Sequence, residues 1–544
     1  MISNLHGKNA CLIVDSECIR VWQFFALQMA IARGLKITCV IQCNNTISKK
    51  NLVSHFFYYV LNVFCFRNKY SKKRRWRDLL GDEIEVIYFN SSWVGVWQLI
   101  PEGLCSLLKV HKFDFVIKFG LSLLKNPDLI PSKYGVFSYH HGDPSFYRGR
   151  PAGFYELLHG ASSMGVMVQR LNNKLDGGEV FAFCESKLFP HSYKKTLENA
   201  YGNGVYLLHK ALQNAVDKAP VNKVCNGINY RLPSNFIAAY FISLLVLRKL
   251  KRLLYGALVE KQWRLCFVNK INILNNVHDI RLPVNGPHAI AKNHTFMADP
   301  IPYSDDTLFC EAMDKRSGNG VIIAIAPSGQ VEVDMSEFGS GHFSYPFIVE
   351  NNGIKYLLPE MSSVGSQKIG RINDDLTLSD VVVLKGLENE RLKDPTLIWF
   401  DSKWFLFAGK SNAPPDALFL WHSNEILGGY IEHDSSPIVI NPNCARPAGP
   451  IMNFDGTLFR LGQDNSGAYG NGVKVFCITK LSMSQYSEEY RFDIRMDSVS
   501  GPHTVCIYGD KYAIDYYRER ISLFAGLIRV KGLLSKLSRQ FRFV

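Results

Sequence analysis

Short apolar runs alternate with helical segments through the first 225 residues of the chain. A helical segment, RVWQFFALQMAIARG, ends at Gly34, and another contains GLCSLLKVHK. This rhythm predicts an α/β domain with a parallel sheet wound with helices, whose ligand site lies beyond the carboxyl ends of its strands. The predicted strands are NACLIV (9–14), LKITCVIQ (35–42), IEVIYFN (84–90), FDFVIKFG (113–120), YGVFSYH (134–140) and GVMVQRL (165–171).

A different pattern recurs through the second half. Each repeat has a proline, an apolar strand, a turn and a second, aromatic-rich strand, and a period of about 50 residues with several strands per unit is typical of a β-propeller. We expect five blades, with EKQWRLCFV (260–268) supplying a strand that closes the ring. The repeats begin at Pro300, Pro346, Pro395, Pro447 and Pro502.

The length of 544 residues indicates two or three domains. We predict an α/β domain over 1–225, a basic and apolar helical linker over 226–259, a propeller over 260–516 and a basic amphipathic helix over 517–544. The net charge of +14 is concentrated in three basic runs, two of which alternate with apolar residues. Such runs are typical of helices on an anionic membrane surface and of solvated helices packed on their own domain, and both interpretations stay open. The chain has no RNA-recognition signature, which argues against a nucleic-acid partner.

Cysteine usage indicates a reducing compartment. The thirteen cysteines are scattered without paired spacing, and the first residues contain no long apolar segment after a basic one. We therefore expect free thiols and a cytoplasmic protein, peripheral to the membrane if the basic helices contact lipid. No run reaches the ~18–20 apolar residues that span a bilayer. The isolated Cys39 and Cys43 favour core packing over zinc binding, and we predict no metal.

Candidate chemistry lies at the ends of two predicted strands. The strand over 134–140 delivers Ser138, His140 and the adjacent His141 to the ligand-binding edge of the sheet, and the strand over 165–171 leads towards Asp176. An imidazole beside a carboxylate makes a general acid–base pair, because the carboxylate fixes the tautomer of the ring and raises its proton affinity. The alternative is a core histidine and an aspartate that caps a turn.

The stretches GVFSYHHGDPSFYRG and GVMVQRLNNKLDGGEVF together resemble the formyltransferases that use formyltetrahydrofolate. The resemblance covers about residues 9–205 and implies that His140 and Asp176 are the catalytic histidine and aspartate. It aligns Arg148-Gly149 with the Arg-Gly step of the family, and we expect Arg148 and His141 to contact substrate. It also implies 10-formyltetrahydrofolate as co-substrate. The loop that holds its pterin through backbone groups corresponds to Phe119, Gly120, Leu121 and Leu123.

One position departs from the family pattern, because Ser138 stands where the family has asparagine. That amide donates a hydrogen bond to the oxyanion, and the loss of such a donor costs roughly 100- to 1000-fold in rate. The Ser138 hydroxyl is a shorter donor. Either His141 or a backbone N–H takes over this role, or the chemistry is altered or lost.

The repeats resemble the propellers of furanosidase-type glycoside hydrolases and, more closely, the propeller domain of glucosamine inositolphosphorylceramide transferases. Asp299 and Asp394 match the aspartates that such hydrolases carry at blade starts, but Ala448-Gly449-Pro450 replaces the expected Glu-Gly-Pro. Hydrolysis by the usual route needs two carboxyl groups, and only a displaced Glu360 or Asp464 would supply the acid. Glycan binding is therefore favoured over cleavage, the alternative being that both aspartates only cap strands.

These observations favour a formyltransferase that acts on the amine of an amino sugar in surface-polysaccharide biosynthesis. The expected partner is an amino-sugar nucleotide or a lipid-linked glycan held by the propeller. Two alternatives stay open. In one, the N-terminal domain is catalytically degenerate within a glycan-binding or glycan-transfer accessory protein, and in the other the propeller is itself a glycosidase.

Overall fold

The computed structural model describes residues 5–45, 52–65, 67–174, 177–270, 272–273, 275–284, 286, 290, 293–467, 469–527 and 529–530. The chain divides into two compact units, Met1–Lys249 and Leu250–Val544. The first is α/β and the second is built from β-strands, which agrees with the predicted change of class along the chain.

The first unit contains fourteen strands among its described residues, of which seven form one sheet. The strands are β1 (Asn9–Val14), β2 (Cys18–Arg20), β3 (Lys36–Cys43), β4 (Lys73–Arg75), β5 (Glu85–Phe89), β6 (Ser92–Val94), β7 (Trp97–Leu99), β8 (Phe115–Lys118), β9 (Leu123–Leu124), β10 (Val136–His140), β11 (Tyr147–Gly149), β12 (Ser163–Arg170), β13 (Glu179–Lys187) and β14 (Ile228–Tyr230). The helices are α1 (Val21–Ala32), α2 (Phe56–Cys65), α3 (Arg77–Leu80), α4 (Glu102–Leu108), α5 (Phe154–His159), α6 (Tyr193–Gly204), α7 (Leu207–Val216) and α8 (Asn235–Leu258). Short 3₁₀ turns lie at Lys109–His111 and Pro127–Leu129.

The seven-stranded sheet has the order β13-β12-β10-β8-β1-β3-β5. The five strands from β10 to β5 are parallel, as predicted. The expectation of a wholly parallel sheet is wrong, because β12 is antiparallel to both β10 and β13. Eight residues, 171–178, separate β12 from β13 in the sequence, and a connection of that length permits only antiparallel pairing of these two strands.

The middle of this sheet is shielded from solvent because neighbouring strands and helices cover it. Five of the six residues of β1 are buried, as are the last five of β3. Such near-continuous apolar strands are typical of parallel sheets that are covered on both faces. Buried side chains of α1 pack over the sheet as well, Trp22, Phe24 and Leu27 among them. The carboxyl ends of β1, β8 and β10 therefore open at one edge of a rigid layer.

Among its described residues, the second unit contains five mainly antiparallel sheets, one for each predicted repeat. The strands are β15 (Val259–Asn269), β16 (Ile280–Leu282), β17 (His294–Pro302), β18 (Leu308–Asp314), β19 (Gly320–Ala326), β20 (Gly329–Glu332), β21 (Ser344–Asn351), β22 (Ile354–Glu360), β23 (Lys368–Ile372), β24 (Leu378–Val383), β25 (Leu392–Phe400), β26 (Lys403–Lys410), β27 (Ala417–Ser423), β28 (Ile431–Glu432), β29 (Val439–Ile440), β30 (Arg446–Pro447), β31 (Met452–Phe454), β32 (Thr457–Gln463), β33 (Val473–Leu481), β34 (Tyr486–Met496), β35 (Val505–Tyr508) and β36 (Lys511–Ile521).

The sheets follow the chain in order. They are β17–β20, β21–β24, β25–β28 with β29 added, β30–β34 with β16 added, and β35–β36 with β15. The prediction of a strand over 260–268 is confirmed, since β15 pairs antiparallel with the full length of β36, and its role in closing a ring stays a prediction.

Every repeat begins with the same backbone device. The residue before a proline has a positive φ angle, and at the first three positions the strand pairing shifts by a bulge. Bulges of this kind re-aim side chains and are common next to functional sites. The five residues are Asp299, Tyr345, Asp394, Gly449 and Gly501, with φ of 52°, 44°, 48°, 121° and 135°.

The positive φ angle before the proline shows that the predicted start of the fourth repeat is wrong. Its proline is Pro450, which follows Gly449, and not Pro447, which lies in β30 opposite Gly462. Two prolines three residues apart fit the same period, so spacing alone does not distinguish them.

Two predicted segment boundaries are also corrected. Residues 228–230 of the expected linker form β14, which pairs with β11 of the first unit. Residues 517–521 of the expected C-terminal helix belong to β36, because they continue its pairing with β15. Helical residues follow at 525–527 and 529–530, and the remainder of that segment lies outside the described residues. Among the helices described, none has the length and apolarity needed to cross a membrane.

Candidate functional site

Ser138 and His140 lie on β10, inside the parallel part of the sheet. Both side chains are buried, with Ser138 opposite Lys118 of β8 and Gln169 of β12, and His140 at the strand's carboxyl end. His140 Nε2 lies 3.2 Å from the carbonyl oxygen of Tyr147. A carbonyl only accepts, so Nε2 is the donor in this hydrogen bond. The strand end thus presents an imidazole that the backbone of the following loop holds in place.

Close packing of the loop after β10 holds this imidazole. A Cβ atom on Gly142 would lie 2.6 Å from the Tyr147 carbonyl oxygen and 2.9 Å from His140 Nε2. Any side chain there would separate the two hydrogen-bonding groups. Gly149 has φ of +82°, and a Cβ on it would lie 2.1 Å from the carbonyl oxygen of Tyr230. Both glycines are therefore required by close approach of the backbone.

Arg148 of the Arg-Gly step is half-buried and donates from Nη1 to the carbonyl oxygen of Cys225, at 3.2 Å. This contact ties the loop to the segment that leads into β14. The predicted role of Arg148 in substrate binding stays a prediction.

The loop after β8 is fixed through its backbone. The N–H groups of Phe119 and Gly120 donate to the Ile13 carbonyl, and a Cβ on Gly120 would lie 2.5 Å from the backbone nitrogen of Asp15. Leu121 has φ of 65° and its carbonyl accepts from Lys118 Nζ, while Leu123 lies in β9. Of the four predicted cofactor-binding residues, Phe119 and Gly120 line a cavity of about 370 Å³ at the carboxyl ends of β1 and β8. The other lining residues are Val14, Asp15, Ser16, Cys18, Ile19, Arg20, Gln23 and Lys73.

His141 differs from His140 in its surroundings. Its ring contacts Trp22, Tyr139 and Tyr201, and its Nε2 is buried without a hydrogen bond among the described residues. Burial lowers the pKa of His141 to about 3, and the neighbouring His140 adds to this effect. His141 is therefore neutral and packed among aromatic rings, and its predicted contact with substrate stays a prediction.

Asp176, the predicted partner of His140, lies outside the described residues. A carboxyl group that the sequence did not single out lies near the loop after β10. Glu156 of α5 is buried, and its Oε1 would lie 3.6 Å from a Cβ atom placed on Gly142. Burial raises the pKa of Glu156 to about 8, and the charge of Asp143 adds to this effect. The signal in the sequence was an acidic residue on the apolar face of FYELLH, where an unpaired charge is costly.

The second unit brings Asp299 and Asp394 to one pocket of about 240 Å³. They lie 95 positions apart in the sequence, each at the bulge that begins its sheet. The same backbone device thus turns two carboxylates inward. The pocket is lined by Trp263, Phe296, Ala298, Asp299, Glu311, Met313, His342, Ser344, Glu360, Asp394, Arg446, Tyr469 and His503.

Asp299 belongs to a buried network around His503. His503 Nδ1 lies 3.1 Å from Asp299 Oδ1 and 3.2 Å from Asp515 Oδ2, and its Nε2 lies 2.7 Å from the Tyr469 hydroxyl. Burial opposes a charge on the imidazole, yet Tyr469, Asp299 and Asp515 together raise the pKa of His503 well above its usual value. Burial would also raise the pKa of Asp299, but His503 and Thr504 lower it. The network holds an imidazolium between two carboxylates.

Asp299, His503 and Asp515 are also close enough to hold a metal ion, with ligand atoms within 4.8 Å of one another. Their oxygens already have donors, however. Asp515 accepts from the backbone N–H groups of Asp299, His503 and Thr504, and Asp299 Oδ1 accepts from the Thr504 hydroxyl at 2.7 Å. This set of hydrogen bonds fits two carboxylates that hold the protonated His503 better than it fits a metal site.

Asp394 is paired with Arg446 on the other side of the pocket. Arg446 donates to both oxygens of Asp394, and its Nη2 lies 3.4 Å from Glu360 Oε2. Burial raises the pKa of Asp394 to about 7, although Arg446 opposes this effect. Of the two alternatives for a displaced acid, Glu360 lies in the pocket, whereas Asp464 is paired with Arg495 at 2.9 Å and does not line it.

Glu311 is a further pocket residue that the sequence did not single out. It is buried in β18, and its Oε1 lies 3.6 Å from His342 Nε2. Burial raises the pKa of Glu311 well above its usual range, and the charges of Asp299 and Glu360 add to this effect. The signal was an acidic residue inside the apolar run LFCEAM, as for Glu156 in α5.

The comparisons with known proteins concern mainly the second unit. A family model described as "Glucosamine inositolphosphorylceramide transferase 1, N-terminal" matches residues 284–501. The curated relatives include Glucosamine inositolphosphorylceramide transferase 1 of Oryza sativa subsp. japonica, 32% identical over 212 residues that cover 36% of this chain and 27% of that protein. The Arabidopsis thaliana protein of that name is 31% identical over the same shares. The chain thus spans about a quarter of the length of the curated relatives it matches.

Solved structures similar to the chain fall into two groups. The catalytic domain of a Coprinopsis cinerea GH62 α-L-arabinofuranosidase has a TM-score of 0.31 and 12% identity, over 47% of this chain and 97% of that one. An N-formyltransferase from Helicobacter canadensis has a TM-score of 0.27 and 15% identity, over 42% and 71% of the two chains. At these scores neither likeness carries an argument. The similarity that counts is therefore that of residues 284–501 to the N-terminal part of the glucosamine inositolphosphorylceramide transferases.

Proposed function

We propose that the first unit transfers a formyl group from 10-formyltetrahydrofolate to an amine, and that the second unit binds the glycan that carries this amine. The observation that carries the proposal is the buried imidazole of His140 at the carboxyl end of β10, held by a hydrogen bond to the Tyr147 carbonyl. The loop after β8, pinned by backbone hydrogen bonds, and the adjacent cavity suit a ligand held through peptide groups. 10-Formyltetrahydrofolate would supply the formyl carbon, and tetrahydrofolate and a formamide would be the products.

Within this proposal, each residue has a defined task. The neutral amine attacks the formyl carbon with its lone pair, His140 accepts the proton that the amine nitrogen loses, and Ser138 donates a hydrogen bond to the oxygen on which negative charge develops. The bond between the formyl carbon and the folate nitrogen then breaks, and that nitrogen takes up a proton as tetrahydrofolate leaves. Glu156, buried in α5 near the loop after β10, stays neutral up to a pH of about 8. Asp176 as the orienting partner of His140 and a cytoplasmic location stay predictions of the sequence.

The test is an assay with 10-formyltetrahydrofolate and a set of amino-sugar nucleotides, read as the mass gain of one carbonyl group on the sugar. We expect His140→Ala to abolish the gain and Ser138→Ala to reduce the rate. Replacing the exposed His6 with alanine is the matched control and leaves the rate unchanged. The absence of any gain in the unmodified protein, together with no binding of folate, would refute formyl transfer.

For the second unit, we propose a five-bladed propeller whose central pocket binds an amino-sugar-containing glycan. The five consecutive sheets, the repeated bulge and the pairing of β15 with β36 support this architecture. The pocket combines aromatic side chains, Trp263 and Tyr469, with carboxyl groups, a combination that suits both the apolar face and the hydroxyl or ammonium groups of an amino sugar. The name of the curated relatives favours a lipid-linked glycan as partner.

Binding is tested by titrating the full chain with glucosamine-containing oligosaccharides and their N-acetylated counterparts. We expect Glu360→Gln to weaken binding of the free amine more than that of the acetylated sugar. Glu350→Gln, outside the pocket, is the control. Equal weakening of both ligands would remove the role of the carboxylate in recognising the amine.

A second candidate for this pocket is glycoside hydrolysis, favoured by one observation. The environment lowers the pKa of Asp299 and raises that of Glu311, and carboxyl groups whose pKa values are pushed apart are the usual base and acid of glycosidases. Release of reducing sugar that is lost in Glu311→Gln would establish this activity. Binding without release would leave the pocket as a recognition site.

A further inference from the structure

Two apolar helical faces in the first unit lie open to solvent. On α2 the exposed residues are Phe56, Phe57, Val60, Val63 and Phe64, with Phe64 exposed by 72%. Tyr58 and Leu61 are buried on its other side. This spacing forms one continuous stripe along the helix, since residues three and four positions apart share a face. The stripe is the reverse of a normal surface helix, because the apolar face is the one left outside.

The helix α8 carries a similar stripe. Phe236, Tyr240 and Leu247 follow one another at helical spacing and are exposed by 83%, 58% and 63%. Ala238 and Phe241 are buried, and Phe241 packs against Phe154 of α5, so the helix is anchored by one face only. Because Phe241 fixes the orientation of α8, its opposite face stays exposed to solvent.

The structure joins these two stripes, although they lie about 180 residues apart in the sequence. Asn235, the first residue of α8, accepts from the backbone N–H of Phe57 at 3.2 Å and donates to the Val53 carbonyl at 2.8 Å. His55 Nδ1 also lies 2.8 Å from the Pro233 carbonyl oxygen. These bonds hold the beginnings of both helices side by side, so their aromatic residues form one surface.

The two segments that carry this surface are basic. Neither residues 49–77 nor residues 218–259 contain an aspartate or glutamate, whereas Arg67, Lys69 and Lys249 are basic and exposed. The helix α6 brings charges of both signs beside the first segment, with Lys194 near Cys65 and Glu198 near Tyr70. An apolar surface flanked by basic side chains is complementary to an anionic bilayer, whose headgroups attract lysine and arginine.

We propose that the exposed faces of α2 and α8 form a docking surface for an anionic lipid bilayer. The aromatic and aliphatic side chains enter the boundary between headgroups and acyl chains, and the flanking lysines and arginines contact lipid phosphates. The helices lie in the plane of the membrane. This surface is separate from the strand-end site and the pocket, so the proposal is independent of the proposed function.

The test is flotation of the full chain with phosphatidylcholine vesicles and with vesicles that contain phosphatidylserine. We expect binding to the anionic vesicles to exceed that to the neutral ones by about tenfold and to fall with salt, as expected for combined apolar and electrostatic contact. The double variant Phe64→Asp/Phe236→Asp loses about tenfold or more of this binding. Val110→Asp, at a residue exposed by 81% on the same unit, is the matched control and binds normally.

Circular dichroism and the thermal unfolding temperature establish that the double variant is folded. Equal binding to both vesicle types would overturn the electrostatic part, and no binding to either would overturn the proposal. Gel filtration supplies the remaining outcome. A dimer that the double variant disrupts, together with no binding to vesicles, would identify the surface as a contact between copies of the chain and would overturn the lipid assignment.

Discussion

The two candidate sites treat buried ionisable groups in opposite ways. In the first unit burial shifts pKa values towards the neutral forms, since it lowers the pKa of His141 to about 3 and raises that of Glu156 to about 8, so that both groups are neutral at pH 7. In the second unit most are held charged. His503 and Arg460 have raised pKa values because carboxylates surround them, and Asp299 has a lowered one.

The difference follows from what each site offers a buried charge. Glu156 and His141 have apolar or aromatic neighbours, so neutralisation is the less costly outcome. Asp299 and Asp515 instead receive an imidazolium and several N–H donors. Asp394 and Glu311 are the exceptions in the pocket, because more carboxyl groups than cations meet there. The first arrangement suits a site that moves protons, and the second suits a pocket of fixed shape.

The comparison is tested most severely at Asp515, which accepts from three backbone N–H groups and from His503. We expect Asp515→Ala to lower the unfolding free energy of the second unit by about 3–5 kcal/mol, because it leaves His503 with a single carboxylate and three buried backbone N–H groups without an acceptor. Calorimetric unfolding of the full chain measures this loss. Asp306→Ala, at an exposed turn, is the control and changes stability little. A loss below about 1 kcal/mol at Asp515 would contradict the network.

Glu156 tests the neutral strategy of the first unit. Its folded pKa of about 8 lies above the usual 4.5. Between these values the folded state keeps a proton that the unfolded chain has released, so stability falls as pH rises from 4.5 to 8. We expect Glu156→Gln to match the unmodified protein at pH near 5 and to be more stable by on the order of 3 kcal/mol near pH 9. Unfolding temperatures across this range check it, and parallel curves would contradict the raised pKa.

The sequence predicted the framework of both sites better than their contacts. The position of His140 at a strand end could be predicted because apolar runs mark strands. The positions of Asp299 and Asp394 at the starts of sheets could be predicted because the repeat period marks those starts. The period alone did not distinguish Pro450 from Pro447, since the choice depends on the backbone angle of Gly449.

The partners within each site were harder to predict. Glu156 and Glu311 are visible only as acidic residues on apolar faces, a pattern that does not say which buried group they approach. Arg446 donates to Asp394, which lies 52 residues earlier in the sequence and in a different sheet. The antiparallel placement of β12 depends on neighbours in the sheet and not on its own alternation.

His141 is expected to give a smaller pH dependence of stability than Glu156, and one of opposite sign. Its folded pKa of about 3 lies below the usual 6.5, so the unfolded chain binds a proton first and stability falls as pH drops from 6.5 towards 3. We expect His141→Phe to remove this slope and to gain on the order of 2 kcal/mol at pH 5 relative to pH 7. The difference between the two pH values is the measured quantity, because it cancels the change in packing. An unchanged slope would show that another group, such as His209, governs acid lability.

The smallest effect is expected at an ion pair that neither strategy involves. Arg170 and Glu179 face each other across β12 and β13, with side chains exposed by 45% and 42%. Exposed pairs contribute about 0–1 kcal/mol because water and salt screen them. We expect Glu179→Gln to lower the unfolding free energy by less than about 0.5 kcal/mol, and 1 M salt to remove the difference. A loss as large as that at Asp515 would mean that burial is not what separates the two sites, and that pairing alone decides the stability of a charge in this protein.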